Sequence, residues 1–184
     1  LGPQPLTLFQ NTHGHGVGMA PGMATGGNWA YPDNFAETFD TMSVVYEFDD
    51  FIITWNNVTV ENGPYGKNYG VEFVGENGTL VANRESWEVY PYKDRIEAYQ
   101  SLPNWMDHRD HVANFINCMK TRNFDTACTI DNGALCAKYA HIGNISARVK
   151  SDLVFDDVRK KFNNSEANKL ITPDYRKPWK LPKF

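Results

Sequence analysis

The hydrophobic period of this chain changes once along the sequence, from two residues before Pro103 to about 3.6 residues after it. A period of two is typical of half-buried β-strands, and a period of 3.6 is typical of amphipathic helices. Strands come first, helices follow, and each helix has a single apolar face. The pattern therefore predicts an α+β fold, in which helices pack on one face of a predominantly antiparallel open sheet.

The first half of the chain predicts a meander of antiparallel strands. A hairpin is predicted where the alternating segment 38–48 and the apolar segment 51–55 flank a two-residue Asp-Asp turn. A second hairpin is predicted around Gly75-Glu76-Asn77-Gly78, whose Asn-Gly step would supply the positive φ of a tight connection. Residues 87–90 predict a further strand of the same sheet.

Two amphipathic helices are predicted after Pro103. The first would have Asn104 or Asp107 as its cap, and its apolar residues fall at helical spacing: Val112, Phe115, Ile116 and Met119. The second would begin with Asp131 as its N-cap. A short strand at 153–155 and a short helix at 166–171 are predicted to follow.

The length of 184 residues predicts a single domain over 1–184. Within it, the Gly-rich segment 11–27 predicts a loop, and prolines in the segment 172–184 predict an extended C-terminal arm because proline prevents a helix there. This arm also carries Tyr175 and Trp179. We therefore expect it to pack on the domain or on a neighbouring molecule.

Charge and hydropathy exclude two classes of partner. A formal net charge of -4 leaves no basic surplus for phosphate groups, so no nucleic-acid partner is predicted. No apolar run is long enough to cross a bilayer, so we expect no membrane partner and a soluble protein. Bacterial cytoplasm and periplasm both remain open. The three cysteines form no Cys-x-x-Cys pair and favour reduced thiols.

Motifs for nucleotide and metal chemistry are incomplete. The run Gly14-His15-Gly16-Val17-Gly18 lacks the GxGxxG spacing, and Pro21 stands where a helix should begin. We therefore predict no Rossmann domain and no cofactor site in this chain. His13 and His15, or His108 and His111, could each offer two imidazoles to a metal, but no motif supplies a third ligand. A metal-dependent enzyme is the least favoured interpretation.

Aromatic residues suggest a different kind of site. Most strand aromatics are expected in the core, whereas Trp29 and Tyr31 follow a Gly-rich segment and precede Pro32-Asp33. Exposed aromatic rings suit the apolar faces of sugar rings, and histidine can bind their hydroxyl groups. Trp29, Tyr31, His108 and His111 are therefore the candidate substrate-binding residues.

An ordered set of segments resembles the C-terminal domain of the glucose-fructose oxidoreductase, inositol dehydrogenase and rhizopine-catabolism (Gfo/Idh/MocA) family. The resemblance runs from about residue 38 to residue 181 and rests on these segments: 51–55, 69–80, 111–118, 140–146, 166–168 and 175–179. The family's Gly-Gly-x-aromatic stretch corresponds to Gly26-Gly27-Asn28-Trp29. The His-, Gly- and Met-rich segment 11–24 departs from the family pattern, and both a substrate loop and a surface excursion remain open for it.

The resemblance implies the substrate-binding and oligomerisation domain of a sugar or polyol oxidoreductase. NAD or NADP would be held by an N-terminal Rossmann domain of the full-length protein, and this chain alone would be inert. The implied partners are that Rossmann domain, a sugar or polyol, and further copies of the chain through the sheet. The family's C-terminal domain opens with a helix that carries a Gly-Gly-Gly-x-Leu-x-Asp-x-x-x-His motif; no segment of this sequence matches that motif, so no catalytic residue is assigned. A stand-alone, non-catalytic carbohydrate-binding or scaffold module is the alternative.

Overall fold

The computed structural model describes most of the chain, namely residues 22–33, 35–48, 50–60, 64–103 and 108–180. The strands are β1 (Gly22–Gly27), β2 (Thr41–Glu47), β3 (Ile52–Val58), β4 (Val71–Gly75), β5 (Gly78–Ala82), β6 (Trp87–Pro91), β7 (Tyr99–Gln100), β8 (Phe155–Asp156) and β9 (Lys161–Phe162). The helices are α1 (His108–Thr121), α2 (Ile130–Val149) and α3 (Ser165–Lys169), with a 3-10 turn at Pro64–Gly66.

The chain forms two compact units. The first contains Leu1–Thr59 and Ile130–Phe184, and the second contains Val60–Thr129. In the first unit, β1, β2 and β3 form an antiparallel sheet in that order, and β8 pairs with β9. In the second unit, β4 to β7 form an antiparallel sheet in sequence order. The α+β class and the antiparallel pairing are confirmed, with the strands shared among three sheets instead of one.

The core of the first unit lies between the β1–β3 sheet and α2. Val44 and Tyr46 of β2 point toward the helix and pack with Ile142 and Ile145. The hydroxyl of Tyr46 donates to the carbonyl of Tyr139 at 2.6 Å, and burial raises the pKa of Tyr46 to about 12. Residues that follow α2 complete this core: Leu153, Phe162 and Ala167.

Both hairpins predicted from the sequence are confirmed, but the second turn forms differently. Gly75 pairs with Gly78, so Glu76 and Asn77 make a two-residue connection, and neither has a positive φ. Gly78 is extended, with φ 159°. Its glycine is required by space, because a Cβ there would lie 2.5 Å from the carbonyl oxygen of Tyr90.

The prediction of a loop over 11–27 is wrong for residues 22–27, which form β1. Gly and Ala, which make up four of the six residues of β1, have little preference for strands. Strand β1 nevertheless pairs along its whole length with β2, from Gly22 opposite Tyr46 to Gly27 opposite Thr41. Pairing with a neighbouring strand thus overrides local preference. The rest of the predicted loop, residues 11–21, lies outside the described residues.

The helices are where the sequence predicts them, with shifted ends. The second helix begins at Ile130, so Asp131 lies in its first turn and not at the N-cap. There the carboxylate faces the positive end of the helix dipole. The N-cap of α3 is Asn164, which accepts hydrogen bonds from Glu166 N and Ala167 N at 2.9 and 3.1 Å. The proposed caps of α1, at 104 and 107, lie outside the described residues.

Coverage of the sheets by helices is confirmed for α2 only. The apolar side chains of α1 keep 40–54% of their surface exposed: Val112, Phe115, Ile116 and Met119. Helical spacing shows which residues share a face, but it does not show what covers that face. No helix among the described residues is long and apolar enough to cross a membrane.

The C-terminal arm has neither helix nor strand over 172–180, as its prolines predict. It is not extended throughout, because a turn at 176–179 contains the cis peptide bond Lys177–Pro178 and a hydrogen bond from Trp179 N to Arg176 O. Tyr175 and Trp179 are both exposed, so neither is buried against the rest of the chain. Packing of the arm on a neighbouring molecule stays a prediction.

Candidate substrate-binding site

Trp29 and Tyr31 lie directly after β1 in the first unit, and both side chains are exposed. The indole of Trp29 folds back over the end of the strand. A Cβ at Gly27 would lie 2.6 Å from the indole ring, so a larger residue would displace it. The Gly-Gly-x-aromatic stretch thus has a physical reason, because the second glycine makes room for the aromatic ring.

A single carboxylate fixes the backbone of this aromatic segment. Asp40 accepts hydrogen bonds from the backbone amides of Trp29 at 3.0 Å, Ala30 at 3.3 Å and Tyr31 at 2.8 Å. It also accepts from the hydroxyl of Thr41 at 2.9 Å. Three successive amides directed at one carboxylate form a rigid turn. The two rings are therefore presented to solvent on a fixed backbone.

Asn28 closes the same turn from the other side. Its side-chain oxygen accepts from Asp40 N at 3.1 Å, and its side-chain amide donates to Ala36 O at 3.3 Å. Arg148 of α2 also holds this loop, because its guanidinium donates to Glu37 O at 2.8 Å. The sequence did not identify Asn28, Asp40 and Arg148 as site residues, because side chains that accept from backbone amides leave no motif.

The charge state of Asp40 follows from these contacts. Desolvation of the carboxyl tends to raise its pKa, but hydrogen bonds from Tyr31, Thr41, Ala30 and Trp29 together outweigh it and lower the pKa. A lowered pKa means that the turn is stabilised above the ordinary Asp pKa of about 3.9 and loses that stabilisation as the pH falls through the folded value.

We expect the backbone amide resonance of Tyr31 to titrate with a midpoint below the pKa of an ordinary Asp, because the Asp40 carboxylate accepts from that amide. An NMR pH titration of the labelled chain measures the midpoint. In Asp40→Asn the titration of Tyr31 should disappear and the amides of Trp29 and Tyr31 should shift, with Asp33→Asn as the control. A Tyr31 midpoint at or above 3.9 would contradict the anchoring role.

His108 and His111 lie in the first turn of α1, in the second unit, and both are exposed. They share one helical face because they are three residues apart. The histidine pair thus belongs to the second unit, whereas Trp29 and Tyr31 belong to the first. Among the described residues, no group of three His, Cys, Asp or Glu side chains could hold a metal ion. His13 and His15 lie outside the described residues.

A polar cluster on one face of the β4–β7 sheet was not predicted. Lys67 contacts Glu88 at 2.7 Å and the hydroxyl of Ser86 at 3.0 Å, and the hydroxyl of Tyr90 donates to Glu88 at 2.5 Å. The hydrogen bonds from Lys67 and Tyr90 lower the pKa of Glu88. The strand period places Glu88 and Tyr90 on one face, but only the fold brings Lys67 to them.

The opposite face of the β4–β7 sheet is apolar. Cross-strand partners Phe73, Leu80 and Val89 share this face, and Trp87 stacks on Tyr99 with ring centroids 4.4 Å apart. The face borders a concavity of about 470 Å³. Its lining offers little hydrogen bonding, so it suits apolar contacts better than recognition of a polyhydroxylated ligand.

The described residues do not fit a dinucleotide. Every strand pair in this part of the chain is antiparallel, whereas a Rossmann site needs a parallel strand, a Gly-rich turn and a helix N-terminus in succession. The glycines of β1 lie inside a paired strand and lead to an aromatic loop. What the described residues form is an antiparallel α+β fold with an exposed aromatic pair whose backbone is held by Asp40.

Comparison with known proteins assigns the chain more closely. The sequence model described as "Oxidoreductase family, C-terminal alpha/beta domain", of the Gfo/Idh/MocA group, matches residues 63–181. Because that match spans well over half of the sequence, the chain belongs to the Gfo/Idh/MocA oxidoreductase family and supplies its C-terminal domain. The resemblance inferred from the ordered segments is thereby confirmed.

A solved structure shows the same fold. It is that of a Thermotoga maritima protein assigned as an oxidoreductase, with a TM-score of 0.57 at 11% sequence identity. The match covers 76% of this chain and 42% of that chain. The chain thus spans less than half the length of that relative, and the likeness concerns the fold alone. No curated protein sequence matches this chain.

Proposed function

We propose that this chain is the substrate-binding and oligomerisation domain of an NAD(P)-dependent sugar or polyol oxidoreductase. The dinucleotide would be held by a separate N-terminal Rossmann domain, because the described residues do not fit one. The observation that carries the proposal is the anchored pair Trp29 and Tyr31 in a chain of an oxidoreductase family.

The chemistry of the pair suits a polyhydroxylated ring. The indole of Trp29 presents an apolar face on which the C–H groups of a sugar can stack. The phenol of Tyr31 adds a hydroxyl that can donate to or accept from a substrate hydroxyl. Because Asp40 fixes the backbone, little conformational entropy is lost when the ligand binds. His108 and His111 are proposed as further hydroxyl partners in the intact enzyme.

Titration of the chain with two kinds of probe tests this proposal. Calorimetry with NADH should give no heat of binding, and micromolar affinity would overturn the assignment of the nucleotide to another domain. NMR titration with myo-inositol and with D-glucose should shift the amides of Trp29 and Tyr31 if either is close to the true substrate. Trp29→Ala should abolish those shifts, whereas Trp55→Ala should keep them.

The control residue is matched in chemistry and exposure. Trp29 is 67% exposed and Trp55 is 57% exposed, and Trp55 lies on β3 opposite Val44 of β2. If the sugar-induced shifts were lost equally in both variants, binding would depend on exposed tryptophan in general, and the assignment of the site to Trp29 would be wrong.

Full-length protein separates the enzyme from the alternative, a stand-alone carbohydrate-binding module. The alternative is favoured by the same exposed rings, which need no nucleotide to bind a sugar. Assay of the product of the complete reading frame with NAD⁺ or NADP⁺ and a panel of polyols should show sugar-dependent absorbance at 340 nm. Sugar binding without any reduction of either nucleotide would support the module. In an active enzyme, Trp29→Ala should raise KM or lower kcat.

A further inference from the structure

One face of the β1–β3 sheet packs on α2, and the other carries mostly exposed side chains. Side chains alternate along β2, so Val45, which lies between the buried Val44 and Tyr46, points away from α2. Residues directly opposite each other on neighbouring strands share a face, so the register assigns the other side chains of this surface. We call it the outer face.

Three polar side chains form a row across the outer face. Strand pairing places Thr25 opposite Ser43 and Ser43 opposite Asn56, and all three residues are exposed. Neighbouring strands lie about 4.8 Å apart, so the row extends over roughly 10 Å, which is long enough for one sugar ring with its hydroxyl groups. We call these residues the polar row.

The indole of Trp29 lies on the same face, next to the polar row. Gly27 follows Thr25 by two residues on β1, so a side chain at Gly27 would point to the outer face. A Cβ there would lie 2.6 Å from Cε2 and 2.7 Å from Nε1 of Trp29. The aromatic ring therefore covers the outer face at Gly27, one step along the strand from Thr25.

Apolar side chains border the polar row on its other side. Met23 of β1 lies opposite Val45 of β2, and both precede or follow the row by two residues on their strands. The row is thus flanked by the indole on one side and by aliphatic groups on the other. This alternation of apolar and hydrogen-bonding surface suits a sugar ring, which presents C–H groups and hydroxyl groups together.

Hydrogen bonding within the polar row leaves groups that can bind hydroxyls. Ser43 Oγ donates to Asn56 Oδ1 at 2.9 Å. The amide nitrogen of Asn56 keeps two donors, the hydroxyl oxygen of Ser43 keeps its acceptor capacity, and the hydroxyl of Thr25 can donate or accept. Donors and acceptors side by side are what a pair of neighbouring sugar hydroxyls requires.

Charge restricts which sugars fit this surface. Among the residues of β1, β2 and β3, Glu47 alone is charged. Residues 1–59, which include all three strands, contain no Lys or Arg. A phosphate or carboxylate group bound here would lose hydration without gaining a cationic partner from the sheet. The surface therefore favours an uncharged ring.

We infer that the polar row is the hydroxyl-binding part of the sugar site, and that this site takes a neutral sugar or polyol. The ring stacks on the indole of Trp29 and directs its hydroxyl groups to the polar row. The inference rests on the proposed function, and it adds the residues that recognise the ligand and the charge that the ligand must have.

NMR titration of the labelled chain with D-glucose, D-mannose and myo-inositol tests the row. The amides of the polar row should shift together with that of Trp29. Ser43→Ala with Asn56→Ala should raise the dissociation constant about tenfold, because two hydrogen-bonding groups are lost. Asn57→Ala is the control and should leave the constant unchanged, because Asn57 lies opposite Met42 and faces the other side of the sheet.

A charge-gain variant tests the preference for a neutral ligand. Thr25→Lys should tighten the binding of D-glucose 6-phosphate by about fivefold, as expected for one exposed ion pair. Asn57→Lys adds the same charge to the opposite face and should not change that binding. Equal gain in both variants would overturn the assignment of a neutral ligand. Binding of D-glucose 6-phosphate to the unmodified chain as tight as that of D-glucose would do the same.

The pattern of shifts separates this inference from the proposed function. Shifts at Trp29 without shifts in the polar row would overturn the inference and leave the proposed function standing. Absence of shifts at Trp29 and Tyr31 with all three neutral probes would contradict both. Shifts of the row that appear as protein concentration rises without sugar would show that a second copy covers it, and that result would also overturn the inference.

Discussion

Leu153→Ala is expected to lower the free energy of unfolding of the first unit by about 2–5 kcal/mol. Leu153 is 1% exposed and belongs to the cluster that joins Val44 of β2 to Ile142 of α2. Truncation of its isobutyl side chain to a methyl group removes buried apolar surface and leaves a cavity that a sheet and a helix can close only in part. Urea denaturation followed by circular dichroism measures the change.

Leu102→Ala is the matched control for this variant. The same atoms are removed from a side chain that is 86% exposed, so stability should change by less than about 0.5 kcal/mol. A Leu153→Ala protein as stable as Leu102→Ala would mean that the described core does not hold the unit together.

Gly143→Ala is expected to destabilise the same unit by about 1–3 kcal/mol, although alanine is the better helix former. A Cβ at this position would lie 2.5 Å from the hydroxyl oxygen of Tyr46 and 3.0 Å from a methyl carbon of Val44. The helix approaches the sheet so closely that only a hydrogen atom fits between them. Insertion of a methyl group must move the helix or displace Tyr46 from its hydrogen bond to Tyr139.

Gly133→Ala tests the same exchange in the same helix without the contact. Apart from its chain neighbours and the backbone of its own helix, no heavy atom lies within 4 Å of a Cβ there, so alanine should stabilise the chain by about 0.5–1 kcal/mol through its helix preference. The two variants should therefore differ in sign, and thermal unfolding of both proteins checks this. If both substitutions stabilised the protein, α2 could not lie as close to Tyr46 and Val44 at residue 143 as the structure shows.

The sequence predicts those parts of the fold that depend on local pattern. Both hairpins and both long helices follow from periodicity, because a residue's face is set by its spacing from its neighbours. Strand β1 was missed because its glycines have no intrinsic strand preference and it exists through its pairing with β2. The exposure of Phe115 on α1 was missed because helical spacing shows which side chains share an apolar face but not whether anything packs against that face.

In the candidate site too, local sequence pattern predicts some residues, and others depend on contacts between distant parts of the chain. Trp29 and Tyr31 could be selected from the sequence because they follow glycines and precede a Pro-Asp pair. Asp40, which holds them, lies at least nine residues away along the chain and carries no signature. The link between Lys67 and Glu88 likewise crosses 21 residues. Contacts of this kind depend on the completed fold, so pattern alone could not supply them.

The order in which the chain leaves the ribosome bears on the two units. The second unit is continuous, from Val60 to Thr129, whereas the first is divided into two segments on either side of it. Strands β2 and β3 therefore emerge long before α2 and Leu153, which bury their apolar face. Until then the side chains of Val44 and Tyr46 lack the helix that buries them, and exposed apolar strands of this kind make a folding chain prone to aggregation.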